Sequence, residues 1–135
     1  MNIFRKLPSR LDLVPEFILD VLNRLKKEVE LTDDDLFHLR LILEESLTNA
    51  IRHGNKLAEE LPVEVTINSS VDRLTITVRD QGQGFDFENV PDPTRAEKLL
   101  LASGRGVFLI KKIMDEVSFF DSGRGIKMVK LLTNA

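Results

Sequence analysis

The distribution of apolar residues along the first half of the chain predicts two consecutive amphipathic helices. Between residues 13 and 29, apolar side chains recur at the i, i+3, i+4 and i+7 spacing of a single helix face. A second helix, over roughly residues 33–53, follows Thr32, which is a favourable N-cap residue, and has three aspartates in its first turn. Its apolar stripe also keeps helical spacing, and Gly54 is a typical stop signal.

The second half of the chain predicts strands. Residues 62–70 and 74–79 alternate between apolar and polar side chains around a short turn, which indicates an antiparallel hairpin with one buried face. Further expected elements are an edge strand or lead-in at 2–8, short helices at 95–101 and 107–114, and strands at 117–120 and 126–132. The order predicts a single domain over residues 1–135, an α/β sandwich with helices on one face of a mixed, largely antiparallel sheet.

Composition and charge exclude several classes of function. The chain has 135 residues and a net charge of −3, so it lacks the basic surface that nucleic-acid binding requires. It has no cysteine, which excludes disulfides, thiolate metal sites and thiol catalysis, and only two histidines. Neither a signal peptide nor an apolar run of about 18 residues is present, so we expect no membrane segment and a cytoplasmic protein.

A carboxylate and an amide occupy the end of the second predicted helix. Glu45 and Asn49 are four residues apart and therefore project from the same side, beside the apolar stripe. A carboxylate can act as a general base, and an amide oxygen suits Mg²⁺ that phosphates also bind. A solvated polar helix face explains the pair at least as well when it is considered alone.

Two glycine-rich segments add parts of a nucleotide pocket. In Asp80-Gln81-Gly82-Gln83-Gly84-Phe85, an acid at a strand end could accept a hydrogen bond from an exocyclic amine, and Gly82 and Gly84 permit close backbone approach. In Gly104-Arg105-Gly106, backbone amides before a helix could bind phosphate, and Arg105 could contact the γ-phosphate. Each segment alone fits an ordinary loop about equally well.

Together the three segments resemble the GHKL ATPase superfamily, and their order and spacing match over nearly the whole chain. The segments that carry the resemblance are Glu45-x-x-x-Asn49-Ala50-x-x-His53-Gly54, Asp80-x-Gly82-x-Gly84-Phe85 and Gly104-x-Gly106-Val107. The resemblance implies that ATP and Mg²⁺ are the cofactors, with Glu45 as general base and Asn49 as the Mg²⁺ ligand. It also implies that Asp80 binds the adenine amino group and that the phosphate and lid loops are shaped by Gly82, Gly84, Gly104 and Gly106.

The small size and the run Ile113-Met114-Asp115-Glu116-Val117 are similar to stand-alone anti-sigma factor serine/threonine kinases. Such proteins bind a sigma factor, phosphorylate an anti-anti-sigma protein and are often dimers, so the resemblance is compatible with a homodimer. The last strand departs from the group, because Gly125-Ile126-Lys127-Met128 replaces a Gly-Thr-Thr-like run. Two alternatives to a kinase stay open: a module that sequesters its partner without phosphorylating it, and an interaction protein that has lost nucleotide.

Overall fold

The computed structural model describes residues 1–82 and 106–132, and these residues form the predicted elements in the predicted order. The elements are β1 (Asn2–Leu7), α1 (Val14–Glu28), α2 (Asp33–Asn49), β2 (Val63–Ser69), β3 (Arg73–Arg79), α3 (Gly106–Ile113), β4 (Glu116–Phe120) and β5 (Gly125–Leu131). A 3₁₀ turn, Leu11–Leu13, precedes α1, and a π-helical turn, Ala50–Gly54, follows α2. The helix predicted at 95–101 lies outside the described residues.

Both long helices begin as their sequences predict. Pro15 lies in the first turn of α1, where its missing N–H is not needed. Thr32 and Asp35 form a capping box at the start of α2. The Thr32 hydroxyl accepts from the Asp35 amide at 3.0 Å, and the Asp35 carboxylate accepts from the Thr32 amide at 3.0 Å. This cap fixes the register of α2, and therefore the positions of the polar residues at its other end.

The five strands form one sheet with the order β1-β2-β3-β5-β4. Every pairing among these strands is antiparallel, and β1 lies at an edge as expected. Side chains such as Val65, Ile76 and Met128 are fully buried against the helices, whereas the alternate positions Thr66 and Thr77 are partly exposed. The helices therefore cover one face of the sheet, and the predicted fold class is confirmed.

The end of α2 differs from the prediction in one respect. The helix does reach Gly54, but its last turn is π-helical, with the Asn55 amide donating to the Ala50 carbonyl at 2.8 Å. The left-handed residues that follow are Lys56 and Leu57, with φ of 52° and 63°, and Gly54 has no positive φ. Gly54 is therefore not a left-handed helix cap, and the reason for a glycine at this position lies in the site described below.

The sequence predicts no membrane segment, and the length and apolar character of the helices bear on this prediction. Within residues 1–82 and 106–132, no helix combines the length and the apolar character that crossing a membrane requires.

Candidate functional site

The predicted carboxylate and amide lie one turn apart near the end of α2. Glu45 and Asn49 are half-buried and flank the fully buried face that contains Leu43 and Leu47. In the described part of the chain, neither side chain has a hydrogen-bond or ion-pair partner. Neither group is therefore occupied by a contact with another described residue.

Asp80 directly follows β3 and is buried, with 9% of its surface exposed. One carboxylate oxygen, Oδ1, accepts a hydrogen bond from the Gly82 amide at 2.8 Å. The other, Oδ2, has no hydrogen bond from any described residue. Oδ2 is therefore the candidate acceptor for a hydrogen bond from a ligand.

Two glycines make room for this carboxylate. A Cβ on Gly54 would lie 2.7 Å from the Asp80 Cβ and nearer still to its carboxyl group. A Cβ on Gly82 would overlap the Gly54 carbonyl oxygen and lie 3.1 Å from Asp80 Oδ1. The 2.7 Å contact at Gly54 and the overlap at Gly82 are closer than real Cβ atoms approach other atoms, so any side chain at either position displaces the carboxylate or the backbone. The predicted close backbone approach at Gly82 is therefore present.

Burial raises the pKa of Asp80, and this effect outweighs the hydrogen bond from Gly82 and the nearby charges of Arg124 and Arg79, which lower it. A carboxyl with a raised folded-state pKa stabilises the fold most at pH values below its unfolded pKa. That contribution is lost as the pH rises through the folded-state pKa. At neutral pH the ionised carboxylate therefore destabilises the fold, as is common for groups retained for binding or catalysis.

Sequence reasoning missed Asn55, which connects three segments beneath the site. Its side chain is buried. Its amide nitrogen donates to the Ser9 hydroxyl and the Leu61 carbonyl, both at 2.9 Å, and its oxygen accepts from the Gln81 amide at 2.7 Å. Asn55 thus anchors the chain immediately after Asp80. A signal was present, since an asparagine directly after a helix stop is often a capping group, but its partners are too distant in sequence to be inferred.

Sequence reasoning also missed Arg124, in a turn to which it assigned no chemistry. The Arg124 Nε donates to the Gly82 carbonyl at 2.7 Å, and the Arg124 carbonyl accepts from the Asp80 amide at 3.0 Å. The turn between β4 and β5 therefore contacts the glycine segment directly.

The remaining predicted residues are only partly described. Gly106 is the first residue of α3, so the predicted helix start after the second glycine segment is present. Gly84, Gly104 and Arg105 lie outside the described residues. Within residues 1–82 and 106–132, no group of three or more histidine, aspartate or glutamate side chains could hold a metal ion.

A separate groove of about 730 Å³ runs between α1 and α2. Leu19 and Phe37, which line it, are 61% and 60% exposed. Three cationic side chains also line it, Lys26, Arg40 and Arg52, against one carboxylate. Glu45, Asn49 and Asp80 do not line the groove, so α2 presents one side to the groove and another to the candidate site.

Comparison with known proteins places these features in context. A family model described as the histidine kinase-like ATPase domain matches residues 7–131. A serine-protein kinase named RsbW from Bacillus licheniformis is 34% identical over 106 residues, which cover 73% of this chain and 66% of that kinase. The RsbW kinase of Staphylococcus epidermidis is 31% identical over 107 residues, or 73% of this chain and 67% of that protein. The chain thus spans about two thirds of the length of these relatives.

Replacing Gly54 with alanine tests the contact around Asp80. The added methyl group overlaps the carboxylate, so we expect Gly54→Ala to lower the free energy of unfolding by about 1–3 kcal/mol and to weaken binding of an ATP analogue at least tenfold. Chemical denaturation and calorimetric titration measure the two effects. Gly123→Asn is the matched control, because Gly123 has a left-handed φ of 83° that asparagine tolerates. Unchanged nucleotide affinity in Gly54→Ala would contradict the assignment.

Proposed function

This chain belongs to the histidine kinase-like ATPase domain family, and on that premise we propose that it is an ATP- and Mg²⁺-dependent serine/threonine-protein kinase. We further propose that it acts as an anti-sigma regulatory protein in a partner-switching circuit, and that residues 1–135 form one ATP-binding domain. The observation that carries the proposal is the Asp80 carboxylate, which is buried between two glycines and has one oxygen that accepts no hydrogen bond from any described residue. The names of the similar proteins, serine-protein kinases, support the reaction type.

The adenine base is the part of ATP that Asp80 recognises. A carboxylate accepts hydrogen bonds only, so its free oxygen suits the 6-amino group of adenine and not the 6-carbonyl group of guanine. The burial of Asp80 strengthens this preference, since a buried acceptor that faces another acceptor loses its hydrogen bond without gaining water. Gly54 and Gly82 contribute to the base site because, without side chains, their backbones can pack directly against the carboxylate.

The phosphates are bound by the other two segments in this proposal. Asn49 holds Mg²⁺, which supplies positive charge at the β- and γ-phosphates when it is bound. The start of α3 at Gly106 offers free backbone amides to phosphate oxygens. Gly84, Gly104 and Arg105 belong to the same proposal through the sequence resemblance, with Arg105 at the γ-phosphate.

Glu45 is the proposed general base. It accepts the proton of a serine or threonine hydroxyl on the partner protein while that oxygen forms a bond to the γ-phosphorus. The bond from this phosphorus to the oxygen that bridges it to the β-phosphate breaks, so the products are a phosphorylated partner and ADP. The half-buried position of Glu45, without an ion-pair partner in the described residues, keeps it available for this proton.

The partners are proteins in this proposal: a sigma factor that is sequestered and an anti-anti-sigma protein that is phosphorylated. Because both ATP and sigma factors occur in the cytoplasm, the proposal includes a cytoplasmic location. We assign docking of the sigma factor to the groove between α1 and α2. Exposed Leu19 and Phe37 suit the apolar face of a partner helix, and the excess of cations suits acidic side chains on that helix.

Separate substitutions of Glu45 and Asp80 distinguish catalysis from binding. Glu45→Gln should keep ATP affinity and lower transfer to the partner at least a hundredfold, the typical contribution of a general base. Asp80→Asn should weaken ATP binding without lowering the free energy of unfolding at pH 7, because it removes a buried charge. The measurements are transfer of label from γ-labelled ATP to purified anti-anti-sigma proteins of the source organism, ATP titration and denaturation.

Glu60→Gln, an exposed carboxylate in the loop before β2, is the control for these substitutions. Wild-type transfer by Glu45→Gln would refute its role as general base. Tight ATP binding by the unmodified protein, with no label on any candidate partner, would favour a module that sequesters without phosphorylating.

Reversing a charge in the groove tests the docking surface. Arg40→Glu should weaken binding of the purified sigma factors of the source organism at least tenfold, and more strongly at low salt, while ATP affinity stays unchanged. Arg5→Glu, on the exposed edge strand β1, is the matched control. The groove could instead bind a second copy of this chain, and size-exclusion chromatography detects such a dimer. If Arg40→Glu leaves sigma-factor binding intact, or changes only the oligomeric state, the groove does not dock the partner.

A further inference from the structure

The turn between β4 and β5 forms hydrogen bonds with both ends of the segment 80–82. The carbonyl oxygen of Arg124 accepts a hydrogen bond from the Asp80 amide at 3.0 Å. The side chain of the same arginine donates from Nε to the Gly82 carbonyl at 2.7 Å. One residue, 42 positions later in the chain, therefore contacts both ends of the segment that carries the buried carboxylate.

Arg124 is itself oriented by a neighbouring carboxylate. Its Nη1 lies 3.3 Å from Asp121 Oδ1, while Asp121 Oδ2 accepts from Arg79 Nε at 2.7 Å. Hydrogen bonding to Arg79 lowers the pKa of Asp121, so this carboxylate stays ionised between the two guanidinium groups. The backbone of the turn is unusual as well, because Asp121 and Ser122 have left-handed φ values of 53° and 55°.

Besides the bond from the Asp80 amide to Arg124, three hydrogen bonds hold the segment 80–82, each at a different group. The Gln81 amide is held by Asn55 and the Gly82 amide by Asp80 itself. Among the described residues, the Gly82 carbonyl is held by Arg124 alone. Gly82 has no side chain to limit its backbone rotation, and its Cα packs against the Gly54 carbonyl. Without Arg124, no described residue holds the Gly82 carbonyl, so the backbone at Gly82 loses a restraint and the hydrogen bond from its amide to Asp80 weakens.

We propose that Arg124 is a positioning residue for the nucleotide site, which holds the Gly82 carbonyl so that the Asp80 carboxylate keeps its free oxygen directed at the base. Arg124 acts through Gly82 and Asp80 and does not itself contact the base. The identity of the ligand as ATP rests on the proposed function, whereas the ordering of residues 80–82 by Arg124 does not.

The charge of Arg124 has a second, separable effect. Burial and the charge of Asp121 raise the pKa of Asp80, whereas the hydrogen bond from Gly82 and the charges of Arg124 and Arg79 lower it. Removing the charge of Arg124 therefore raises the pKa of Asp80 further. Nucleotide binding requires the ionised carboxylate in this proposal. When the pH is lowered, a variant without the Arg124 charge should therefore lose nucleotide affinity at a higher pH than the wild-type protein does. A lysine restores this charge but cannot reproduce the hydrogen bond that Nε makes within a planar guanidinium group.

Two variants separate the effect of the Arg124 hydrogen bond on nucleotide affinity from the effect of its charge on the pKa of Asp80. For Arg124→Ala we expect the dissociation constant for AMP-PNP with Mg²⁺ to rise about tenfold or more, as for loss of a charged hydrogen bond. The pH at which binding falls by half should also rise. For Arg124→Lys, that pH should return to the wild-type value while the dissociation constant stays raised. Calorimetric titration between pH 5 and 8 measures both, with Arg73→Ala as a control at an exposed arginine of β3.

Hydrogen exchange tests the same inference without any ligand. In the free protein, Arg124→Ala should speed exchange of the Gly82 amide at least tenfold and leave the amides of β2 unchanged, which also shows that the variant folds. Unchanged exchange at Gly82, or a wild-type dissociation constant in Arg124→Lys, would overturn the positioning role. If the wild-type protein does not bind AMP-PNP, the proposed function fails, and exchange at Gly82 still decides the role of Arg124.

Discussion

The candidate site depends on how closely two glycine backbones approach one buried carboxylate. Gly54 ends the π-helical turn after α2, Gly82 follows β3, and Asp80 lies between them with no space for a further Cβ. This contact joins the helix that carries Glu45 and Asn49 to the sheet that carries Asp80. Packing around this one side chain therefore helps to fix the position of the proposed base and metal ligand relative to the proposed adenine site.

Maintaining this contact destabilises the protein, because a carboxylate is kept out of water. Burial raises the pKa of Asp80, so its ionised form opposes folding at neutral pH. The surrounding residues offset this effect with directed hydrogen bonds. Asn55 holds Gln81, and Arg124 holds Gly82, so the segment after β3 has a defined backbone before any ligand arrives. Such preorganisation favours binding, because less conformational entropy is lost when the ligand is bound.

Much of the fold could be predicted because its determinants are local. The spacing of apolar residues defines α1 and α2, the sequence from Thr32 to Asp35 contains its own cap, and alternation defines the hairpin. The residues that complete the site could not be predicted in this way. Asn55 acts on Gln81 from 26 positions away and Arg124 on Gly82 from 42, and no local pattern encodes such contacts. Even Gly54, recognised as a helix stop, is a glycine for a different reason, the volume of the Asp80 carboxylate.

The central claim, that the free oxygen of Asp80 accepts a hydrogen bond from the adenine amino group, is tested most directly by comparing ATP with inosine triphosphate. The two nucleotides differ at position 6 of the base, where inosine presents a carbonyl oxygen to the carboxylate, and at N1, which carries a proton only in inosine. Two facing acceptors leave a buried polar group unsatisfied, so ATP should bind on the order of 10- to 100-fold more tightly. Equal dissociation constants for the two nucleotides, measured by calorimetric titration at pH 7.5, would contradict the account.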